Sequence, residues 1–130
     1  MSESSVKVLF VDDSEIVRLE ICGAFRKAGF EVVSAVDGND GIEKAKSEGP
    51  FPLVFSDYNM PGMNGIDMIE TIKSMDGFEN SFFAMLTTES SKPLKQKGKE
   101  IGVGLWAVKP IAPDKLIDIS HKILERMKVA

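Results

Sequence analysis

Short apolar runs alternate with longer amphipathic ones along the chain. Val6-Lys7-Val8-Leu9-Phe10-Val11 is apolar but for one lysine, the pattern of a buried strand. From Ser14 to Ala28 the residues Val17, Ile21, Ala24, Phe25 and Ala28 fall on one face at spacings near 3.6, which predicts a helix that Gly29 ends. Phe30 to Ala35 is β-branched and strand-like, and Gly38 to Glu48 reads as a weaker helix with Ile42 and Ala45 inward. Gly49-Pro50-Phe51-Pro52 breaks the chain before a third strand, Leu53 to Ser56, which ends at Asp57. Pro61-Gly62 and Asn64-Gly65 mark a loop, and Ile66 to Met75 a helix. Ser81 to Leu86 reads as a fourth strand closed by Thr87. Ser90 to Gly102 follows as a helix whose first turn tolerates Pro93. Leu105 to Val108 is the fifth strand. A last helix starts at Pro113 with Leu116, Ile117, Ser120, Ile123, Leu124 and Met127 on its inner face.

Five strands and five helices in strict alternation predict an α/β fold, a doubly wound parallel sheet with helices on both faces. Ligand sites in such folds form beyond the carboxyl ends of the strands. The residues at those ends are therefore the ones to examine.

Composition narrows the setting. A chain of 130 residues suits one domain, residues 1–130, and 43% hydrophobic content is enough for an ordinary core. The net charge of −4 lacks the basic face expected of a nucleic-acid or anionic-membrane binder. Cys22 is the only cysteine and His121 the only histidine, so an internal disulfide and Cys- or His-rich metal sites are excluded. Met1 to Ser5 is polar with no signal-peptide core, and no apolar run approaches the ~20 residues that span a bilayer. A cytoplasmic protein is the expectation.

Strand one ends in Asp12-Asp13, strand three in Asp57, strand four in Thr87-Thr88 and strand five in Lys109-Pro110. If the strand order is 2-1-3-4-5, these tips converge and place three carboxylates, a hydroxyl and an ammonium in one pocket. Clustered carboxylates repel unless a cation joins them, and a set of oxygen ligands suits Mg²⁺. Such a pocket matches a phosphoryl group. A metal and Lys109 would neutralise its charge, Thr87 would donate a hydrogen bond, and one carboxylate would attack phosphorus to give an aspartyl-phosphate. Each feature has an ordinary reading when alone: Asp13-Ser14 as a helix cap, Asp57 before Asn59-Met60-Pro61-Gly62 as turn chemistry, Thr87 satisfying backbone, Lys109 solvated. Their joint placement at the tips of one sheet is what singles them out.

The set Val11-Asp12-Asp13-Ser14, Ser56-Asp57-Tyr58-Asn59-Met60-Pro61-Gly62-Met63-Asn64-Gly65, Leu86-Thr87-Thr88 and Val108-Lys109-Pro110 resembles the receiver domain of bacterial response regulators, from Val6 to Met127. The resemblance supplies the 2-1-3-4-5, flavodoxin-like order. It implies Asp57 as phosphoacceptor, a phosphohistidine on a partner kinase as donor, and Mg²⁺ held by the side chains of Asp13 and Asp57 and the backbone carbonyl of Asn59. Asp12 would act mainly through a metal-bound water, and Lys109 would contact the phosphoryl group. The Lys109-Pro110 bond is expected to be cis.

In this family Thr87 moves towards the phosphate and an aromatic on strand five turns inward behind it. Trp106 stands where Tyr or Phe is usual, and the plainer reading makes it an edge packing residue whose indole N–H needs a partner. Thr88 replaces the usual small residue and is expected to narrow access to Asp57 and slow phosphorylation by small donors. Asn59 and Glu89 match the chemotaxis subgroup's pair at the pocket mouth, which modulates dephosphorylation. Glu89 also suits an early helix turn. Cys22 is expected to be a partly buried packing residue and His121 to be solvated. Lys92, Lys95, Lys97 and Lys99 are a solvated face of helix four, which in this family forms the partner-binding surface with strand five and helix five.

The resemblance implies a monomeric stand-alone switch with a histidine kinase, a flagellar motor switch protein and a phosphatase as partners. It would catalyse only its own phosphotransfer and autodephosphorylation. The absence of an output domain after Met127 favours this reading. The alternative is a phosphate sink or phosphorelay receiver with no motor partner. A dehalogenase-type phosphatase needs a second acid where Asn59 stands, and a flavodoxin needs a phosphate loop after strand one.

Overall fold

The computed structural model describes residues 6–129. Strands β1 (Lys7–Val11), β2 (Glu31–Ala35), β3 (Leu53–Ser56), β4 (Phe82–Thr87) and β5 (Val103–Val108) alternate with helices α1 (Glu15–Lys27), α2 (Gly38–Glu48), α3 (Gly65–Lys73), α4 (Lys92–Glu100) and α5 (Pro113–Val129). The strands form one parallel sheet in the order β2-β1-β3-β4-β5.

Alternation along the strands sorts side chains into two cores. Leu9, Val11, Val54, Phe83 and Met85 face the layer of α2, α3 and α4, where Ala45, Ile66, Ile69 and Ile72 meet them. Val8, Phe10, Leu53, Phe55 and Leu86 face α1 and α5, against Ile21, Phe25 and Leu116. Central strands buried on both faces need continuous apolar runs, which is why β1 and β3 have no polar alternation.

The expected elements are all present, and their ends differ for local reasons. Ser14 is not the first residue of α1 but its cap, its hydroxyl accepting from the Val17 amide at 3.3 Å. Ala28, expected inward, is the C-cap and is exposed. Gly29 follows at φ 96°, in the left-handed region that ends helices. Asn64 caps α3, which therefore starts at Gly65 and stops before Met75. Ser91 caps α4, so Ser90 and Ser91 precede that helix and it ends at Glu100.

Strand β5 begins earlier than Leu105, because Val103 and Gly104 belong to it through a bulge. Phe83 pairs with Val103, but the next residue, Ala84, pairs with Leu105, leaving Gly104 unpaired. A Cβ at Gly104 would stand 2.6 Å from the Phe82 ring, so any larger residue there would require that ring to shift. The extra residue reverses the alternation: Leu105 and Ala107 join the α5 side and Trp106 joins the α4 side. The bulge thus decides which face of the sheet Trp106 serves.

Candidate functional site

The carboxyl ends of β1, β3, β4 and β5 bring Asp12, Asp13, Asp57, Thr87 and Lys109 together. Asp12 and Asp57 are buried, at 1% and 8% exposure, while Asp13 is exposed. Lys109 Nζ donates to Asp12 Oδ2 at 2.8 Å and to Asp57 Oδ2 at 3.0 Å. Burial alone would lower the Lys109 ammonium. The hydrogen bonds and negative charge of Asp12 and Asp57 outweigh it and hold the pKa above the ordinary lysine value. Lys109 is fixed from behind by its amide, which donates to the Thr87 carbonyl at 2.9 Å. The Lys109-Pro110 bond is cis, as expected, and Gly49-Pro50 is cis as well.

One ligand oxygen from each of Asp12, Asp13 and Asp57 can lie within 4.8 Å of the others. A single ammonium bridges only two of these carboxylates, so the pocket keeps excess negative charge. A hard oxygen donor set with uncompensated charge fits a divalent cation. Asp57 Oδ1 takes no protein hydrogen bond among the described residues, which leaves it free to react.

The loop after β3 folds back over Asp57. The Gly65 amide donates to the Tyr58 carbonyl at 2.9 Å, and a Cβ at Gly65 would stand 2.2 Å from the Asp57 carbonyl oxygen. Gly65 is therefore a residue of the site's scaffold. Sequence reasoning took Asn64-Gly65 as loop punctuation and passed over this role, since the close approach involves backbone eight residues upstream. Arg18 was likewise passed over. Its Nη1 donates to the Asp12 carbonyl at 2.7 Å.

Glu89 is held at three atoms. Its side chain accepts from Asn59 Nδ2 at 2.7 Å, its amide donates to Thr87 Oγ1 at 3.3 Å, and its carbonyl accepts from Trp106 Nε1 at 2.8 Å. The expected pair at the pocket mouth is thus in direct contact. Thr87 is fully buried, and with its oxygen accepting from Glu89 its hydroxyl proton remains available to donate. Trp106 is half-buried, packs inward against α4, and has the N–H partner that indole requires. Its ring edge lies where a Cβ at Gly98 would stand, 2.9 Å from Cζ3. Thr88 is exposed at the tip of β4, and the four α4 lysines are exposed. Cys22 is buried, and His121 is exposed with its ring 5.3 Å from that of Phe30. Among the described residues no helix is long and apolar enough to cross a membrane.

Residues 8–121 match the response regulator receiver domain family. A probable chemotaxis protein CheY of Rhizobium etli is 34% identical over 112 residues, covering 85% of this chain and 86% of the relative. The solved structure of Vibrio cholerae chemotaxis protein CheY4, crystallised at low pH, superposes with a TM-score of 0.85 at 36% identity, covering 95% of this chain and 99% of that one. A Borrelia burgdorferi CheY, solved in complex with CheX, BeF₃ and Mg²⁺, superposes with a TM-score of 0.84 at 26% identity, covering 93% and 90%.

Proposed function

The chain belongs to the response regulator receiver family, and from that premise we propose that Asp57 accepts a phosphoryl group from a phosphohistidine of a partner kinase. The observation that carries this reading is the ammonium of Lys109 bridging buried Asp12 and Asp57, with Asp13 beside them. Asp57 attacks phosphorus, the P–N bond of the donor breaks, and the donor imidazole leaves with a proton. Lys109 then has a phosphoryl oxygen to neutralise in place of a bare carboxylate, and the Thr87 hydroxyl donates to another. Asp12, Asp13 and Asp57, with the Asn59 carbonyl, are the groups that would hold Mg²⁺. When bound it would supply positive charge against the three developing phosphoryl oxygens.

Receiver domains are signalling modules rather than enzymes that turn over a separate substrate. Loss of the phosphoryl group from Asp57 is assigned here to the chain itself, with Asn59 and Glu89 controlling entry of water or of a phosphatase at the mouth. The neighbour solved with CheX and BeF₃ supports a second protein as a partner of the activated domain.

The chemotaxis names of the relatives support an output of the same type, a segment of the flagellar motor switch bound at α4, β5 and α5. Any pull of Thr87 towards a phosphoryl group acts on the amide of Glu89, and the carbonyl of Glu89 is tied to Trp106 on that face. Trp106 emission should therefore change on adding Mg²⁺ and then beryllofluoride, and affinity for a motor-switch peptide should rise with it. Emission that responds while the peptide binds equally with and without beryllofluoride leaves the phosphate-sink reading. No beryllofluoride response at any probe, calorimetry included, removes the phosphoacceptor reading.

A further inference from the structure

Asp12 has every polar atom engaged. Its amide donates to the Ala35 carbonyl at 3.1 Å, Oδ1 accepts from the Ser14 amide at 2.9 Å, Oδ2 accepts from Lys109 at 2.8 Å, and its carbonyl accepts from Arg18 Nη1 at 2.7 Å. Asp13 differs. Its side chain takes no hydrogen bond among the described residues, and Lys109 does not reach it. The direction of its carboxylate therefore rests on main-chain geometry. The peptide that precedes it is the Asp12 carbonyl group gripped by Arg18, and the residue that follows it, Ser14, is pinned through its amide to Asp12.

Arg18 is an unusual choice for that grip. It is half-buried on α1, forms no ion pair among the described residues, and directs a guanidinium at an uncharged carbonyl beside an acidic cluster. A rigid planar donor suits the task of holding a peptide plane better than it suits charge neutralisation at a distance.

We propose that Arg18 is a positioning residue, which fixes the Asp12–Asp13 peptide so that the otherwise unsupported Asp13 carboxylate points at the cation shared with Asp12 and Asp57. The proposal rests on the Mg²⁺ reading of the acidic trio. Partners that orient ligands without touching the ion are known to govern metal affinity. The sign of the effect separates this role from bare electrostatics. Removing a positive charge near the trio would by itself tighten binding of a cation, whereas losing the grip on Asp13 weakens it.

The test is calorimetric titration of Mg²⁺ into the full chain as wild type, Arg18→Met, Asp13→Asn and the double variant, at an ionic strength that screens distant charge. Arg18→Met should bind Mg²⁺ about tenfold more weakly, the lower end of what loss of an orienting partner costs. In the Asp13→Asn background the same change should cost less than about twofold, because Arg18 then has nothing to position. Arg18→Lys, which can still donate to the carbonyl, should regain most of the affinity. Unchanged or tighter binding in Arg18→Met, an equal loss in both backgrounds, or a lysine variant no better than methionine would overturn the proposal. A wild type that does not bind Mg²⁺ removes the reading of the trio itself, a different failure. If Arg18→Met does not fold by circular dichroism, Arg18→Gln takes its place with the same expectation. Failure of both to fold assigns Arg18 to the fold and overturns the positioning role.

Discussion

Replacing Lys109 with methionine keeps the length and apolar stem of the side chain and removes only the charge. Two charge-assisted hydrogen bonds, at 2.8 and 3.0 Å, are lost, and two buried carboxylates are left without their shared counterion. Breaking a buried pair by removing one partner costs about 3–5 kcal/mol. The low end applies, about 3 kcal/mol, because the Lys109 side chain is 17% exposed and Asp12 keeps its bond from the Ser14 amide. For a domain of this size that corresponds to a melting temperature lower by about 10 °C in Mg²⁺-free buffer. Mg²⁺ should restore part of the loss, so the variant's stability should depend on Mg²⁺ more steeply than the wild type's. The pKa of Lys109 is raised in the fold, so its contribution is fully present below the ordinary lysine value of 10.5 and is lost as pH rises through the folded value. The gap between wild type and variant should be constant at neutral pH and close on the alkaline side as the Lys109 ammonium is lost. Thermal melts monitored by circular dichroism, with and without Mg²⁺, read all of this. Equal melting temperatures in Mg²⁺-free buffer at pH 7, or a gap that persists unchanged after the Lys109 ammonium has titrated at alkaline pH, would refute the reasoning.

Gly23 lies on α1 with nothing within 4 Å of an added Cβ, so Gly23→Ala should stabilise the fold by about 0.8 kcal/mol in urea titrations. Gly98→Ala gains the same helix propensity but drives a Cβ to 2.9 Å from the Trp106 ring, so its gain should vanish and Trp106 emission should shift; equal stabilisation by both would mean the ring moves freely. Thr88→Ala should speed phosphorylation by small phosphodonors, and an unchanged rate would remove Thr88 as an obstacle to Asp57. Burial pushes the Cys22 thiol up, with Arg26 and Arg18 pulling it only part of the way back, so Cys22 should react with a thiol reagent no faster than the fold opens, and rapid labelling of the native protein would contradict its burial.

Most of the fold was legible because α/β sheets of this kind write themselves twice, as continuous apolar strands and as one-sided helices. Ile21 and Phe25 on α1, and Leu116 and Ser120 on α5, are buried where periodicity put them. Ala28 was misjudged because periodicity does not mark where a helix stops. The stop is set by Gly29, and the last periodic residue then becomes a cap that faces water. The bulge in β5 was hidden for a related reason. The sequence pattern ends the fourth helix at Gly102 and begins the fifth strand at Leu105, whereas Gly104 sits within the strand, where the ring of Phe82 on the neighbouring strand occupies the space beside it, which no local pattern encodes.

At the site, residues that stand at strand tips were legible and residues that act through the main chain were not. Asp12 and Asp57 are adjacent as soon as the strand order is known, and Lys109 reaches both from the tip of β5 across β4. Arg18 and Gly65 serve backbone carbonyls, Asp12 O and Asp57 O, and a backbone acceptor leaves no mark on the identity of the residue that carries it. The contact between Asn59 and Glu89 was half legible: both were placed at the mouth, but their mutual hydrogen bond depends on how two loops lean together.

The central claim, that Asp57 accepts the phosphoryl group, is tested most directly by intact-mass measurement after incubation with a phosphohistidine donor or acetyl phosphate. The wild type should gain one phosphoryl group in the presence of Mg²⁺ and none when the ion is chelated, and Asp57→Asn should gain none under either condition. Labelling of Asp57→Asn to the wild-type extent, or a wild type that stays unlabelled by every donor with Mg²⁺ bound, would contradict the account.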